Sequence, residues 1–130
     1  MKKLFLGIAL MLVACVSCNN KAQENAVANV SSADSIIRVN CTLVVPAEVR
    51  DSVVALGKEL VDSSKMDAGN IDYALYIDAS DSNKMMIVET WSDQPSLDKH
   101  MAQPHFTRIV PQLQTLGQMG IKIFKGPKDK

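Results

Sequence analysis

The chain has 130 residues, enough for one domain and too few for two. Fourteen Lys and Arg cancel fourteen Asp and Glu, which excludes a global field that would recruit nucleic acid or an acidic partner. With 47% hydrophobic and 22% charged residues, the composition is that of a folded chain and not a disordered one.

The first element is an export signal. Residues 1–18 read MKKLFLGIALMLVACVSC, with Lys2 and Lys3 ahead of an apolar run from Leu4 to Ala14. A helix needs about 20 residues to span a hydrocarbon core of roughly 30 Å. The run is too short for that and fits a signal-peptide core. It ends in Leu12-Val13-Ala14-Cys15 and then Val16-Ser17-Cys18. Both endings resemble the bacterial lipobox, where a small residue precedes a cysteine that is lipidated and becomes the first residue. The Leu-x-Ala-Cys spacing favours Cys15; the polar Asn19-Asn20 after Cys18 favours Cys18, which we prefer. An ordinary cleaved signal, releasing a secreted protein, is the alternative. Acyl anchoring to a bilayer is worth about 0.8 kcal/mol per buried methylene, and two chains hold stably. The expected location is therefore the cell envelope, on the periplasmic or surface side of a bacterial membrane. Cleavage before Cys18 leaves 12 basic and 14 acidic residues, a net charge of −2. Cys41 then stands alone and reads as a small buried hydrophobe.

Residues 19–35 are rich in Asn, Ala and Ser and read as a tether. The folded unit is expected over 36–126, with a tail at 127–130. Ile36 to Val45 alternates an apolar row (Ile37, Val39, Cys41, Leu43, Val45) with a mixed one, the pattern of a strand. Pro46 suits a helix start. Val49, Val53, Leu56 and Leu60 then predict an amphipathic helix over 47–64. Asp67-Ala68-Gly69 is a turn. Ile71, Tyr73, Leu75 and Ile77 form one face of a second strand, so Tyr73 and Tyr76 point to opposite sides. Lys84 to Trp91 is a third strand. Ser92 or Asp93 can cap a helix from Gln94-Pro95 that breaks near Pro104, and Pro111 is expected to kink or end the next piece. Met119 to Lys125 is a last strand.

The order β-α-β-β-α-β predicts an α+β, ferredoxin-like sandwich, an antiparallel four-stranded sheet with its helices on one face. The other face still shows Val44, Met86 and Val88, which predicts a homodimer.

Val88 to Phe106, VETWSDQPSLDKHMAQPHF, places Glu89-x-Trp91 at a strand end, then Leu97-x-x-His100, then Pro104-His105-Phe106. With Gly69-x-x-x-Tyr73 upstream, this resembles the antibiotic biosynthesis monooxygenase family, in particular its small quinol-monooxygenase-like members. The resemblance covers 36–126. It implies a dimeric α+β barrel with a pocket between helices and sheet in each subunit. It also implies oxidation of quinol-like or polycyclic phenolic substrates by O₂ as co-substrate, with no metal and no other cofactor. A deprotonated hydroquinone can itself pass an electron to O₂, so the protein must hold the substrate and manage a proton, a task suited to histidine.

His100, His105 and Asn40 are the candidate catalytic residues; Trp91, Tyr73, Glu89 and Phe106 are the candidate substrate-binding ones. Each has a plainer role beside the functional one. His100 can be a satisfied buried histidine, and His105 a cap or dimer contact. Trp91 can be core, Glu89 the partner of a cation or histidine, and Asn40 a strand-to-strand hydrogen bond. Two other functions stay open. A ligand-binding dimer without turnover needs no acid–base group. Haem handling, known on this fold, matches at Asn40 and fails at His100 and Val110, where that pattern calls for Trp and His. Zinc is not supported, because His100 and His105 at i, i+5 do not share a helix face.

Overall fold

The computed structural model describes residues 35–128. The signal sequence with Cys15 and Cys18, and nearly all of the tether, lie outside the described residues. Ser35 and Pro127 belong to the sheet and not to tether and tail, because they pair with each other across neighbouring strands.

Strand β1 (Ser35–Val44) is followed by a tight turn at 47–49 and helix α1 (Arg50–Ser64). Strands β2 (Asn70–Ile77) and β3 (Lys84–Trp91) form a hairpin. Helices α2 (Gln94–Met101) and α3 (Pro104–Leu116) lead into strand β4 (Gln118–Pro127). The sheet order is β2-β3-β1-β4, with every neighbouring pair antiparallel. This is the expected α+β, ferredoxin-like sandwich with its second helix in two pieces. Among the described residues no helix is long and apolar enough to cross a membrane.

Alternation in β1 gives the sheet its two faces. Ile37, Val39, Cys41 and Leu43 are buried under the helices, while Arg38, Thr42 and Val44 are exposed. Helix α1 buries Val53, Gly57, Leu60 and Ser64, a four-three-four spacing that keeps one stripe on the sheet. Asp93 caps α2 through Oδ1, which accepts from the Ser96 amide at 2.8 Å.

Three expectations are corrected. Pro46 is not the first residue of an α-helix. It is extended, and its carbonyl accepts from the Val49 amide, so a tight turn intervenes before Arg50. Pro111 does not end its helix, which runs on to Leu116. Pro111 lies on the exposed side, where the carbonyl its missing N–H leaves behind meets water. In β2 the predicted face is broken at its start, because the pairing with β3 slips between Asn70 and Asp72; beyond it Tyr73 is buried, Leu75 half-buried and Ile77 exposed at the edge of the sheet. Ile71 is the extra residue of that bulge and is exposed.

Candidate functional site

The register places Tyr73, Glu89, Val39 and Ile123 in one row across all four strands, facing the helices. The next row holds Leu75, Ile87, Cys41 and Ile121. Above these rows lies a cavity of about 130 Å³, roofed by Leu97 and Met101 of α2 and by Phe106, Val110 and Leu113 of α3. Its lining is apolar except for the Glu89 carboxyl, the Tyr73 hydroxyl and the Cys41 thiol.

Glu89 is the chemical centre of this wall. It is buried, and its Oε2 accepts a hydrogen bond from Trp91 Nε1 at 2.9 Å, two residues along the same strand face. Burial pushes its carboxyl above the ordinary glutamate value, and the hydrogen bonds from Trp91 and Tyr73 pull part of the way back. Burial also pushes the Tyr73 hydroxyl far up, and the Cys41 thiol to about 11, so neither ionises near neutrality.

Behind Glu89 stands His100, fully buried within a cage of rings. Its centroid lies 4.5 Å from Trp91, 4.9 Å from Phe106 and 5.6 Å from Tyr73. Nε2 is 4.0 Å from Glu89 Oε2, and Nδ1 is 2.7 Å from Asp67 Oδ2. Burial holds His100 below its ordinary pKa against the opposing pull of Asp67. The neutral ring donates from Nδ1 to the carboxylate. His105 Nε2 approaches the same Asp67 oxygen at 3.1 Å.

Local structure explains how three residues so far apart meet. Asp67 sits in the turn after α1, its amide bonded to the Ser64 carbonyl and its carbonyl to the Asn70 amide. Gly69 closes that turn at φ +83°, and a Cβ there would lie 2.1 Å from Ser96 Oγ, so glycine is required. After Ala102 the chain leaves helix geometry. Gln103 is extended and Pro104 begins α3, which turns His105 back toward the end of α2. In one continuous helix the two rings would diverge.

Residues 36–112 match the sequence profile of the antibiotic biosynthesis monooxygenase family. The chain belongs to that family. A solved protein from Bacteroides thetaiotaomicron, described as a possible oxidoreductase of unknown function, is 30% identical; the match covers 72% of this chain and all of that one, with a TM-score of 0.70. A solved antibiotic biosynthesis monooxygenase is 26% identical over 72% of this chain and 99% of its own, with a TM-score of 0.64. An uncharacterised Synechocystis protein is 28% identical over 99 residues, 75% of this chain and 67% of its own. Membership and these neighbours support a monooxygenase-type function.

In this family member the cavity wall includes Tyr73, Glu89 and Phe106. Trp91 lies behind Glu89 and is core, oriented by its indole hydrogen bond. His100 and His105 do not line the cavity; His100 touches Glu89 and Phe106, which do. Asn40 is on the opposite face of the sheet, beside Arg38 and Phe124, so it does not join the histidines. The haem pattern loses its one matching residue by this placement. Asp67 is the residue that sequence reasoning passed over. It read only as part of a turn, and nothing local marks a turn aspartate as the partner of a histidine 33 positions away.

Proposed function

We propose that this protein is a lipid-anchored, homodimeric monooxygenase that oxidises a quinol-like or polycyclic phenolic substrate with O₂ at the cell envelope, with no cofactor in the reaction. The observation that carries this reading is a buried carboxyl, Glu89, the acid in a mostly apolar cavity whose other polar groups, Tyr73 and Cys41, stay protonated. An apolar cavity of about 150 Å³ accepts a benzene-sized ring, so a phenolic ring fits the space between Ile87, Phe106 and Leu113. Glu89, with a raised proton affinity, takes the phenolic proton. The phenolate then passes one electron to O₂, and the radical pair joins at a ring carbon. The resulting hydroperoxide loses water to leave a hydroxyquinone: hydroquinone plus O₂ gives hydroxyquinone plus water. The apolar walls keep bulk water away from the intermediates, while Trp91 fixes the rotamer of the base.

The dimer is supported by the apolar surface left outside the helices. Val44, Tyr76 and Phe124 are about half exposed on the outer face, and Ile121 and Ile123 at the cavity mouth are exposed to a similar degree. A second copy would cover such surface. The anchor rests on the lipobox-like cysteines, and labelled-palmitate incorporation that disappears with Cys18→Ser, or with Cys15→Ser instead, would identify the site.

A second reading, a ligand-binding dimer without turnover, is favoured by the position of both histidines outside an aliphatic cavity that also carries Met101 and Met119. Oxygen uptake separates the two. With reduced menadione or an anthrone, autoxidation subtracted, we expect turnover that falls about 10²–10⁴-fold in Glu89→Gln, the usual worth of a placed base. Rates equal to the blank, together with quenching of the single tryptophan Trp91 by the same phenols, would establish binding alone.

A further inference from the structure

We propose that Asp67, His100 and His105 form a binding site for a divalent first-row transition-metal ion of the Zn²⁺ type. Two imidazoles and one carboxylate are a donor set that such ions take with further positions open to water. The three side chains bring one ligating atom each to within 4.8 Å of one another. Asp67 Oδ2 lies 2.7 Å from His100 Nδ1 and 3.1 Å from His105 Nε2, so all three atoms converge on one point. The contact between Asp67 and His105 is close but not hydrogen-bonded in direction. His105 Nε2 is a buried ring nitrogen without a hydrogen-bond partner, facing a carboxylate. Buried polar atoms are nearly always satisfied; of those left over here, Asn40 Oδ1, Ser64 Oγ, His100 Nε2 and His105 Nε2, the His105 nitrogen is the one that belongs to a cluster of three ligating groups.

The surroundings fit as well. A metal-bound histidine almost always presents its other ring nitrogen to a carboxylate or carbonyl. With His100 bound through Nδ1, its Nε2–H faces Glu89 Oε2, 4.0 Å away and itself held by Trp91. The ligands come from three separately braced pieces of backbone: the turn before β2, the end of α2 and the start of α3. The site is also reachable, since the Asp67 and His105 side chains keep 12% and 15% of their surface exposed. An ion at about 2.0–2.1 Å from each donor sets tetrahedral donor–donor separations of about 3.3 Å, so the two Asp67 contacts open by at most about 0.6 Å and the histidine nitrogens, within 4.8 Å, draw in to that separation. The ion would pin the α2–α3 break to the turn below it. It stays outside the cavity, on the His100 side of Glu89, and its occupancy is measured without reference to the oxidation proposed above.

The test is titration of the chelator-treated full chain with Zn²⁺ by calorimetry and with Co²⁺ by visible absorption. We expect one ion per chain held by the site, and Co²⁺ bands of nitrogen and oxygen ligation. Asp67→Asn and His105→Ala should each weaken binding by more than about a hundredfold, and Glu89→Gln, behind His100, by about tenfold. Circular dichroism checks the fold, and His105→Gln replaces His105→Ala if the latter unfolds. Absent Co²⁺ bands would overturn the assignment, as would undiminished affinity in the Asp67 and His105 variants, which would put any ion elsewhere on the chain.

Discussion

The two faces of the sheet are built from the same four strands and end up chemically opposite. On the helix side Tyr73, Glu89 and Val39 of one row are buried, with only Ile123 at its end exposed, and two side-chain hydrogen bonds are made there, Trp91 to Glu89 and His100 to Asp67. On the other side the row Tyr76–Met86–Thr42 and the neighbouring Arg38–Phe124 pair carry apolar groups that stay largely in water. A polar group under the helices is therefore expensive and must be positioned, while an apolar group on the open face costs little to the single chain. The contrast teaches where to look for chemistry and where to look for assembly. A carboxyl kept in the dry layer needs a reason, and for Glu89 the proposed reason is its place on the cavity wall. The exposed Tyr76 and Phe124 are where the proposed second copy would sit.

The largest break in this contrast should come from Trp91→Ala. It removes a fully buried ring, its contacts with the rings of Tyr73 and His100, and the hydrogen bond donated to Glu89. We expect a loss of about 3–5 kcal/mol in denaturant unfolding, the cost of deleting a core aromatic. For a domain this size that is enough to leave it barely folded.

Glu89→Gln sharpens the same point through pH. The folded-state carboxyl titrates above its unfolded value near 4.3. Its protonated form is favoured by the fold, so its contribution is full below the unfolded pKa and is lost as pH rises through the folded one. Melting temperatures of the wild type and Glu89→Gln should therefore diverge with rising pH, the variant becoming the more stable of the two at neutrality. A difference that does not change between pH 4 and 8 would mean the carboxylate is ionised at no cost. His100 acts in the opposite sense. Its lowered pKa withdraws stability as pH falls below about 6.5, which keeps the Glu89 effect legible only in the paired comparison.

The smallest effect on the single chain should come from the open face. Tyr76→Lys and Phe124→Lys change exposed positions, and each should alter unfolding free energy by no more than about 0.5 kcal/mol. The same substitutions should convert the proposed dimer to monomer in light scattering. Stability and mass that both stay unchanged would remove this face from the assembly.

Most of the fold was legible because its signals are short-range. The β1 rows, the Asp93 cap and the break before Pro104 follow from period, capping chemistry and proline stereochemistry within a few residues. The misreadings came where a neighbour overrode the local rule. The bulge at Ile71 arises from how β2 must pair with β3, and Pro111 is tolerated because its side of α3 faces water. The site was legible by residue type and much less by grouping. Glu89, Tyr73 and Phe106 do share the cavity wall, yet Asn40 falls on the other face and the two histidines lie behind the wall.

What the sequence by itself determined is the order of elements, which face of each strand is apolar, and the family pattern from Glu89 to Phe106, all carried by spacing along the chain. Tertiary structure alone decided that Glu89 would be the carboxyl in the cavity wall, because that follows from cross-strand register with Val39 and Tyr73. It alone decided that Asp67 would meet His100 and His105. A turn and a helix break must swing three distant side chains to one point, and no local propensity encodes a distance across 33 residues of chain.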